Sequence, residues 1–378
     1  MRDARGAGFT LALAAGGTGG HILPAIAFGD WVSREKPEVR VDYMSGSRPL
    51  ELEIYASSGI NPFAMRASGS PAGAPFARSV ARWGEMIASF RQARSFLKET
   101  SPDLCIMFGG YVSLPVMLAA RSRKIRSVLH EQNALAGRVT KLADRIRVPI
   151  ASGWDECEGL EPGHYAKVGV PIRRFRAMSR QEAHSILGTG GDGIGPVASV
   201  MTGSLGSGSL SEVLAELAKM EVFLTWTFFA IDPRVDAPQR AGANVTRLPK
   251  MWDISPVYAV SDILVTRCGA STLAEIEALG IPAVAVPWRG AADDHQMKNA
   301  RLAAASEKIL IWDELNDTLA DLAEKIQNLY AVYCDSKSSK GNMLYNAGET
   351  CEKNCRLLWD FADSFRKGEV ELEGRSLH

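Results

Sequence analysis

The chain has 378 residues, of which 46% are hydrophobic and 23% charged, and its formal net charge is zero. This length allows two domains of ordinary size, and the composition is that of a soluble globular protein. No apolar run approaches the roughly 18 residues of a membrane-spanning helix, and the six cysteines lack the spacing of metal ligands. These features argue against a membrane-spanning protein and predict a reducing, cytoplasmic compartment.

The first half alternates predicted strands with predicted helices. Its beginning, Met1–Arg5 before an apolar run, imitates a signal peptide, but the run is short and leads directly into a glycine-rich turn, as a buried strand does. Strands are predicted at Phe9–Ala15, Val39–Met44, Asp103–Phe108 and Ser127–Glu131. Helices are predicted at about 22–33, at about 75–99 and from Pro115. The alternation predicts a parallel sheet with helices on both faces.

The second half repeats this plan after a proline-containing linker at 168–171. Strands are predicted at Val197–Thr202, Phe223–Ile231, Ile263–Thr266 and Ala283–Val286. Helices are predicted at about 210–220, 273–279 and 348–366, the last packing across the domain junction. We therefore expect an α/β fold of two Rossmann-like domains facing a shared cleft, over residues 1–168 and 169–345, with a helix and polar tail over 346–378.

Two glycine-rich turns each follow a predicted strand and open a predicted helix. Gly16–His21 reads GGTGGH, and Gly203–Ser209 reads GSLGSGS. Glycines admit close backbone approach, and the amides and dipole of a helix N-terminus favour an anion. Two such units suggest the joining of a nucleotide-activated donor to an acceptor. The first turn is not the dinucleotide fingerprint G-x-G-x-x-G, because Ile22 stands where its third glycine would be, so a nicotinamide or flavin enzyme is disfavoured.

Polar residues follow the predicted strands of the first half. His21 lies at a helix entrance, where its imidazole could take a proton from a substrate hydroxyl or could bind only backbone. Gly109–Ser113 and His130–Asn133 also follow strands, whose carboxyl ends line the ligand crevice of a parallel sheet. The alternative for Glu131 is a capped loop in which its carboxylate accepts backbone hydrogen bonds.

The second half carries two further polar motifs. In RCGASTLAE, Arg267–Glu275, the amides of Ala270 to Thr272 suit a phosphate and Glu275 suits a ribose diol, although Thr272 and Glu275 also match an ordinary capping box. In DDHQMKNA, Gln296 and Asn299 share a helix face and suit sugar hydroxyls. Asp293–Asp294 lacks the D-x-D spacing of metal-dependent sugar transferases and favours a helix N-cap.

Charge and apolar residues are unevenly distributed. Residues 1–170 carry 21 Lys and Arg against 16 Asp and Glu, while the remainder carries 22 against 27, so the first half favours an anionic partner. The predicted helix from about 75 carries an apolar stripe among arginines, which suits either an anionic membrane surface or core packing. The stripe consists of Phe76, Val80, Trp83, Ile87 and Phe90.

Seven motifs in register resemble the MurG-type transferases. GGTGGH, GGYVSLP, HEQN, VGVPIR, GSLG, RCGASTLAE and DDHQMKNA occur in the order and spacing of that family, over about residues 9–305. These peptidoglycan enzymes move N-acetylglucosamine from UDP-GlcNAc to the undecaprenyl-linked muramyl-pentapeptide, lipid I, which gives lipid II. The resemblance implies the GT-B fold, with the acceptor held by the first domain and the nucleotide sugar by the second.

The resemblance also implies roles for single residues. His21 would activate the acceptor 4-hydroxyl, and Glu131 and Asn133 would lie beside it in the catalytic set. Gly17 and Tyr111 would line the acceptor side. Glu275 would bind the ribose, and Gln296 and Asn299 the GlcNAc hydroxyls. The remaining donor contacts would come from Thr18, Gly19, Gly20, Asn133, Arg173, Ser204, Ala270, Ser271 and Thr272.

By the same resemblance the reaction is an inverting displacement with no metal and no cofactor. The substrates would be UDP-GlcNAc and lipid I, and no nucleic acid would be bound. The enzyme would be peripheral on the cytoplasmic face of the cell membrane and would join a cell-wall synthesis complex.

Three positions depart from the family pattern: Leu205 replaces a usual glutamine, Val170 an asparagine and Ser271 a leucine. The alternatives are another GT-B UDP-sugar transferase, such as a diacylglycerol glucosyltransferase, a UDP-GlcNAc 2-epimerase, and a non-catalytic sugar-nucleotide binder.

Overall fold

A computed structural model describes residues 8–70, 76–189, 195–201, 208–290, 294–335 and 343–369. Within these ranges the backbone alone is described at 76–78, 208, 209, 211, 333–335 and 343–347. The chain forms two compact units: Met1–Arg173 with Cys351–His378, and Arg174–Thr350.

The first unit is built on a seven-stranded, wholly parallel sheet in the order β3-β2-β1-β4-β5-β6-β7. Its strands are β1 Thr10–Ala14, β2 Arg40–Ser45, β3 Phe63–Ala64, β4 Leu104–Met107, β5 Arg126–Glu131, β6 Ile150–Ser152 and β7 Tyr165–Lys167. The central strands are continuous apolar runs because both of their faces are covered by helices. In β1, Leu11 to Ala14 have no exposed surface.

Five helices connect these strands. They are α1 Gly19–Glu35, α2 Pro49–Ala56, α3 Phe76–Thr100, α4 Gly110–Ser122 and α5 Arg138–Arg145. Helices α3, α4 and α5 lie on one face, where Ala93, Leu97, Val116 and Ala143 join a buried cluster with the strands. The sequence pattern did not reveal α2, although Pro49 at its first turn and Glu51 two residues later are typical of a helix start.

The second unit repeats the architecture. Its sheet has the order β10-β11-β9-β8-β12-β13-β14, parallel except for the antiparallel edge strand β10. The strands are β8 Val197–Met201, β9 Thr227–Ile231, β10 Gln239–Arg240, β11 Val245–Leu248, β12 Ile263–Arg267, β13 Ala283–Val286 and β14 Ile309–Ile311. The helices are α6 Arg180–Ile186, α7 Gly208–Leu217, α8 Ser255–Val260, α9 Ala270–Leu279, α10 His295–Ala303 and α11 Leu319–Asp335. The last helix of the chain, α12 Met343–Lys367, belongs to the first unit from Cys351 onward.

The predicted fold class of two Rossmann-like parallel sheets is confirmed, with one strand boundary corrected. The predicted strand Phe223–Ile231 begins only at Thr227. Phe223 ends a 3₁₀ turn, Glu221–Phe223, and packs edge-on against the rings of Trp226 and Phe228. The apolar run therefore reflects core burial as well as strand formation.

The linker segment is anchored by the C-terminal helix within the first unit. The Asn354 amide of α12 donates to the Val170 carbonyl at 3.0 Å, and the Cys351 thiol donates to the Ile172 carbonyl at 2.8 Å. Val170, one of the three departures from the family pattern, is buried. An apolar side chain there is consistent with this burial.

Candidate functional site

The first glycine-rich turn is held by a buried carboxylate on α2. Glu51 has no exposed surface, and its Oε1 accepts a hydrogen bond from the amide of Gly17, which has φ +100°. Its Oε2 accepts from the Arg48 amide at 3.0 Å, while the Arg48 guanidinium donates to the Gly17 carbonyl at 3.1 Å. The Gly17 amide is thus already bound, and this corrects the simple interpretation of the turn as a set of amides open to an anion.

Tyr111 belongs to the same arrangement. Its hydroxyl donates to Glu51 Oε1 at 2.6 Å. Burial, together with the hydrogen bond and charge of Glu51, holds the pKa of Tyr111 well above its ordinary value, so the hydroxyl stays protonated. A Cβ on Gly46 would lie 2.4 Å from the Tyr111 hydroxyl and 2.5 Å from Glu51 Oε2, so this position admits only glycine. The predicted acceptor-side residues Gly17 and Tyr111 are therefore joined through Glu51.

His21 lies in the first turn of α1, beside the predicted residues Thr18, Gly19 and Gly20. Its Nδ1 is 3.4 Å from Thr18 Oγ1. The opposite edge of the ring faces the loop after β4: a Cβ on Gly109 would lie 3.1 Å from His21 Cδ2 and 3.4 Å from Nε2. The imidazole is half-buried near the ends of β1 and β4.

The HEQN motif at the end of β5 contains a buried histidine with a defined proton position. His130 Nε2 lies 2.8 Å from the Gly169 carbonyl, which can only accept, so Nε2 carries the proton. Burial lowers the pKa of His130 to about 4, so the ring is neutral near pH 7. Its Nδ1 accepts from Gln132 Nε2 at 2.9 Å.

Glu131 binds its own loop. Its Oε1 accepts from the Asn133 backbone amide at 3.0 Å and from Asn133 Nδ2 at 3.1 Å. Its Oε2 accepts from the Gly137 amide at 3.1 Å and from the Thr140 hydroxyl. Four hydrogen bonds on a nearly buried carboxylate favour the capped-loop alternative for Glu131, in which it orients Asn133 and the start of α5.

In the second unit, the predicted phosphate-binding segment is the N-terminus of α9. The helix begins at Ala270, and its N-cap residue Gly269 offers no side-chain cap. The predicted capping box is therefore wrong, since Thr272 lies inside the first turn. Ala270 and Ser271 are nearly buried and Thr272 is half-buried. An uncapped N-terminus of this kind favours a phosphate.

Glu275 is oriented by a tyrosine on α8. Both residues are nearly buried, and the Tyr258 hydroxyl donates to Glu275 Oε2 at 2.7 Å. The ring of Phe175 packs edge-on against Tyr258, with 5.2 Å between ring centroids. The carboxylate therefore has a fixed direction one turn into α9.

The two amides of α10 converge on the loop after β12. Gln296 Oε1 accepts from the amides of Cys268 at 3.1 Å and Trp288 at 2.9 Å. Asn299, which is fully buried, donates through Nδ2 to the Cys268 carbonyl at 3.1 Å. Both side chains thus fix the loops after β12 and β13. The Gln296 Nε2 group takes part in neither of these two hydrogen bonds.

The other predicted positions are placed as follows. Arg173 is half-buried and is the last residue of the first unit. Asp294 is the N-cap residue of α10, but its side chain pairs with Arg289 at 3.0 Å instead of capping the helix.

Among the described residues, no group of three or more His, Cys, Asp or Glu side chains could hold a metal ion. Ser204, Leu205 and Asp293 lie outside the described residues, as does the side chain of Phe76.

The apolar stripe of α3 divides into an exposed and a packed part. Val80, Trp83 and Ile87 are 56%, 54% and 54% exposed. Phe90, in contrast, packs against the buried cluster of the first unit. We call Val80, Trp83 and Ile87 the exposed stripe. No helix in the described part of the chain is long and apolar enough to cross a membrane.

Four side chains of the site escaped the sequence analysis: Arg48, Glu51, Gln132 and Tyr258. Glu51 had a detectable signal in the helix start at Pro49. Gln132 lay within a motif already singled out, but its role depends on contacts with His130 that spacing does not reveal. Tyr258 stands in an apolar stretch of sequence, so it looks like a core residue, and only the structure shows that its hydroxyl binds Glu275.

Two family models match the chain. The N-terminal domain model of glycosyltransferase family 28 matches residues 11–152, and its C-terminal domain model matches residues 231–353. The matched segments contain the polar loops of the first unit and those of the second.

Individual relatives agree with these matches. A protein of Geobacter sp. (strain M21) named UDP-N-acetylglucosamine–N-acetylmuramyl-(pentapeptide) pyrophosphoryl-undecaprenol N-acetylglucosamine transferase is 32% identical over 84% of this chain and 87% of its own length. Among solved structures, Acinetobacter baumannii MurG aligns with a TM-score of 0.62 at 22% identity, covering 94% of this chain and 99% of that one. UDP-GlcNAc 2-epimerase from Neisseria meningitidis aligns with a TM-score of 0.58 at 12% identity, covering 93% of this chain and 99% of that one. The same fold is therefore found in a transferase and in an epimerase. The chain belongs to glycosyltransferase family 28 and is a MurG-type member of it.

Proposed function

We propose that this protein transfers N-acetylglucosamine from UDP-GlcNAc to the C4 hydroxyl of the muramyl sugar in lipid I and so forms lipid II. The observation that carries the proposal is the family membership together with the placement of His21. The imidazole lies among the loops after β1 and β4, in a chain 32% identical to a named transferase of this activity.

The proposed reaction is a single displacement at the anomeric carbon. The acceptor oxygen forms a bond to C1 of the sugar while the bond from C1 to the UDP oxygen breaks, and the configuration inverts. His21 takes the proton of the attacking hydroxyl, and UDP leaves with the bonding electron pair.

We propose that the second unit binds the donor. The uncapped N-terminus of α9 would receive the diphosphate, and Glu275, held by Tyr258, would accept hydrogen bonds from the ribose diol. Gln296 Nε2 would donate to a GlcNAc hydroxyl, whereas Asn299 would act by fixing the Cys268 loop. The amides at the N-terminus of α9 would stabilise the leaving diphosphate, so the proposed reaction requires no metal.

We also propose that the exposed stripe of α3 contacts the cytoplasmic face of the membrane, where a lipid acceptor resides. Three large apolar side chains on one helix are exposed together, with Arg82, Arg91 and Arg94 in the same helix. Apolar side chains with neighbouring arginines suit an anionic lipid surface. We propose a cell-wall synthesis complex as the setting of this peripheral attachment.

Product analysis against a panel of acceptors tests the activity. Purified protein is incubated with radiolabelled UDP-GlcNAc and either a short-chain lipid I analogue or diacylglycerol, with and without EDTA. We expect label in the lipid I product alone, at equal rates with and without chelator. Label in diacylglycerol would identify a different transferase, and release of UDP with N-acetylmannosamine would identify an epimerase. Binding of UDP-GlcNAc without any product would identify a non-catalytic binder.

A further inference from the structure

Three consecutive amides of the loop 66–70, which follows β3, donate to side chains of α3. The pairs are Arg66 to Gln92 Oε1 at 2.9 Å, Ala67 to Ser89 Oγ at 2.7 Å and Ser68 to Glu85 Oε2 at 3.1 Å. Glu85 Oε2 also accepts from the Ser68 hydroxyl at 2.7 Å, and Arg82 Nη1 donates to the Ser70 carbonyl at 2.7 Å. We call the four α3 residues Arg82, Glu85, Ser89 and Gln92 the ladder. Because side chains of α3 bind these amides, the position of the loop follows that of the helix.

The ladder and the exposed stripe occupy the same turns of α3 but different faces. The ladder residues are three, four and three positions apart, which places them on one face of the helix. The stripe residues are three and four positions apart and lie on a second face. At about 100° per residue, the two faces point in roughly opposite directions. One continuous helix therefore carries both the exposed apolar side chains and the side chains that hold the loop.

Ala67 joins the ladder to the acceptor side of the first unit. Its carbonyl accepts from the Ser47 amide at 3.3 Å and lies 3.4 Å from the Tyr111 hydroxyl. Ala67 is fully buried. Tyr111 donates in turn to Glu51, which also binds the Gly17 amide. A continuous series of contacts thus connects α3 to the first glycine-rich turn.

We propose that the ladder sets the position of this turn relative to the lipid surface that the exposed stripe contacts, and so matches the site to an acceptor anchored in that surface. The lipid of such an acceptor keeps its reacting hydroxyl within a limited distance of the headgroups, whereas a soluble acceptor can approach freely. A misplacement of about 1 Å caused by a distant change can lower the rate about 100-fold. The proposal rests on the proposed transferase activity and on the proposed membrane contact of α3.

Glu51 preserves the turn itself when the ladder is broken. Its carboxylate binds the Gly17 amide and the Tyr111 hydroxyl, and neither hydrogen bond involves a ladder residue. Loss of a ladder bond should therefore shift the turn relative to α3 without removing the contacts inside it. A variant of the ladder should consequently distinguish an anchored acceptor from a soluble one.

The test compares Ser89→Ala, which removes the partner of the Ala67 amide, with the unmodified protein. The acceptors are long-chain lipid I in vesicles of phosphatidylcholine and phosphatidylglycerol, and a soluble short-chain analogue. We expect kcat/KM to fall about fivefold or more with the anchored acceptor and less than about twofold with the soluble one, at unchanged KM for UDP-GlcNAc. Ser95→Ala, at an exposed position of α3, is the matched control. Sedimentation with vesicles should be the same for all three proteins, because the exposed stripe is intact.

Two further comparisons separate positioning from packing. Glu85→Gln keeps an acceptor oxygen for Ser68, whereas Glu85→Leu does not, so only the leucine variant should repeat the effect of Ser89→Ala. When Trp83→Ser and Ile87→Ser remove the stripe, Ser89→Ala should cause no further loss with the anchored acceptor, because the turn then has no lipid surface to be positioned against.

Hydrogen exchange of the amides of residues 66–68 gives a readout without substrate. Vesicles should slow this exchange in the unmodified protein and in Ser95→Ala, but not in Ser89→Ala. Equal losses of kcat/KM with the two acceptors, no loss with either, or exchange that vesicles leave unchanged would overturn the proposal. If no sugar is transferred to any acceptor, the proposed function fails, while sedimentation and exchange still decide whether membrane contact of α3 fixes the loop.

Discussion

Tyr111 and Glu51 are joined by a hydrogen bond of 2.6 Å between the tyrosine hydroxyl and a fully buried carboxylate. The bond connects the first turn of α4 to helix α2, and the same carboxylate oxygen also accepts from the Gly17 amide. The glycine-rich turn and the start of α4 are therefore held by one side chain outside the family motifs. The glycine-rich turn owes its shape to Glu51 as much as to its glycines.

Glu51→Gln should destabilise the protein and weaken catalysis. A glutamine offers one acceptor oxygen where three donors now share two, so a buried donor loses its partner at a cost of about 1–3 kcal/mol. Urea denaturation and kcat/KM for the acceptor measure the effect. The double variant with Tyr111→Phe should show strong coupling between the two sites. Glu53→Gln, exposed on the same helix, should change stability by less than about 0.5 kcal/mol, and an equal effect of both glutamines would contradict the assignment.

Tyr258→Phe should weaken donor binding while leaving the chemical step intact. The hydroxyl orients Glu275, which is proposed to bind the ribose. Its loss should raise the KM for UDP-GlcNAc about three- to tenfold, equivalent to roughly 1 kcal/mol, with little change in kcat. Isothermal titration with UDP provides an independent readout. Glu277→Gln, exposed on α9, serves as the control. A large fall in kcat at unchanged KM would refute the positioning role of Tyr258.

The exposed stripe of α3 should determine membrane attachment. Trp83→Ser combined with Ile87→Ser removes two apolar side chains, and full burial of such a side chain contributes about 1.5–3 kcal/mol. Binding to vesicles that contain about 30% anionic lipid should therefore fall at least about tenfold. Sedimentation with vesicles measures this directly. Val332→Ser, at an exposed position of the second unit, should bind as well as the unmodified protein. Equal binding by all three proteins would show that α3 does not contact the membrane.

The buried imidazole of His130 should make stability fall in mild acid. Burial lowers the pKa of His130 to about 4, whereas in the unfolded chain it titrates near its ordinary value of 6.5. Between these values the unfolded state binds more protons, so stability decreases as the pH falls, and the full effect is about 3 kcal/mol below pH 4. Asp232 and Asp313, whose pKa values are held at about 2 by hydrogen bonds from Arg234 and Arg289, act only in a more acidic window.

Urea midpoints at pH 7 and pH 4.5 test this dependence. The unmodified protein should lose more stability between the two pH values than His130→Asn, whatever the absolute stability of the variant. Equal losses in the two proteins would show that His130 is not held neutral in the folded state.

The fold could be predicted from the sequence because the patterns that indicate its strands are local. Apolar runs that end in glycine-rich or polar loops mark buried parallel strands, and they located β1, β4, β5, β8, β12 and β13. Helix starts were placed too late for a physical reason. The residues that look like loop, such as Gly19, Gly110 and Ala270, form the first helical turn, where amides are not used within the helix.

The site was predictable only in part, because its supporting contacts are distant in the chain. His21 and Glu275 stand in recognisable motifs, but Glu51 and Tyr258 reach the site across 34 and 17 residues of sequence. Motif residues also proved to support other groups: Glu131 binds its loop, and Asn299 holds the Cys268 carbonyl. Spacing locates such residues without distinguishing a ligand contact from a contact that shapes the loop.

The most direct test of the proposed activity is the structure of the product formed by the unmodified protein and by His21→Ala. Both are incubated with UDP-GlcNAc and a lipid I analogue, and the disaccharide is analysed by NMR. We expect a β-1,4-linked product from the unmodified protein and a loss of about 100-fold or more in rate with His21→Ala, at unchanged UDP-GlcNAc binding. An α-linked product, or full activity without the imidazole, would contradict an inverting transfer with His21 as its base.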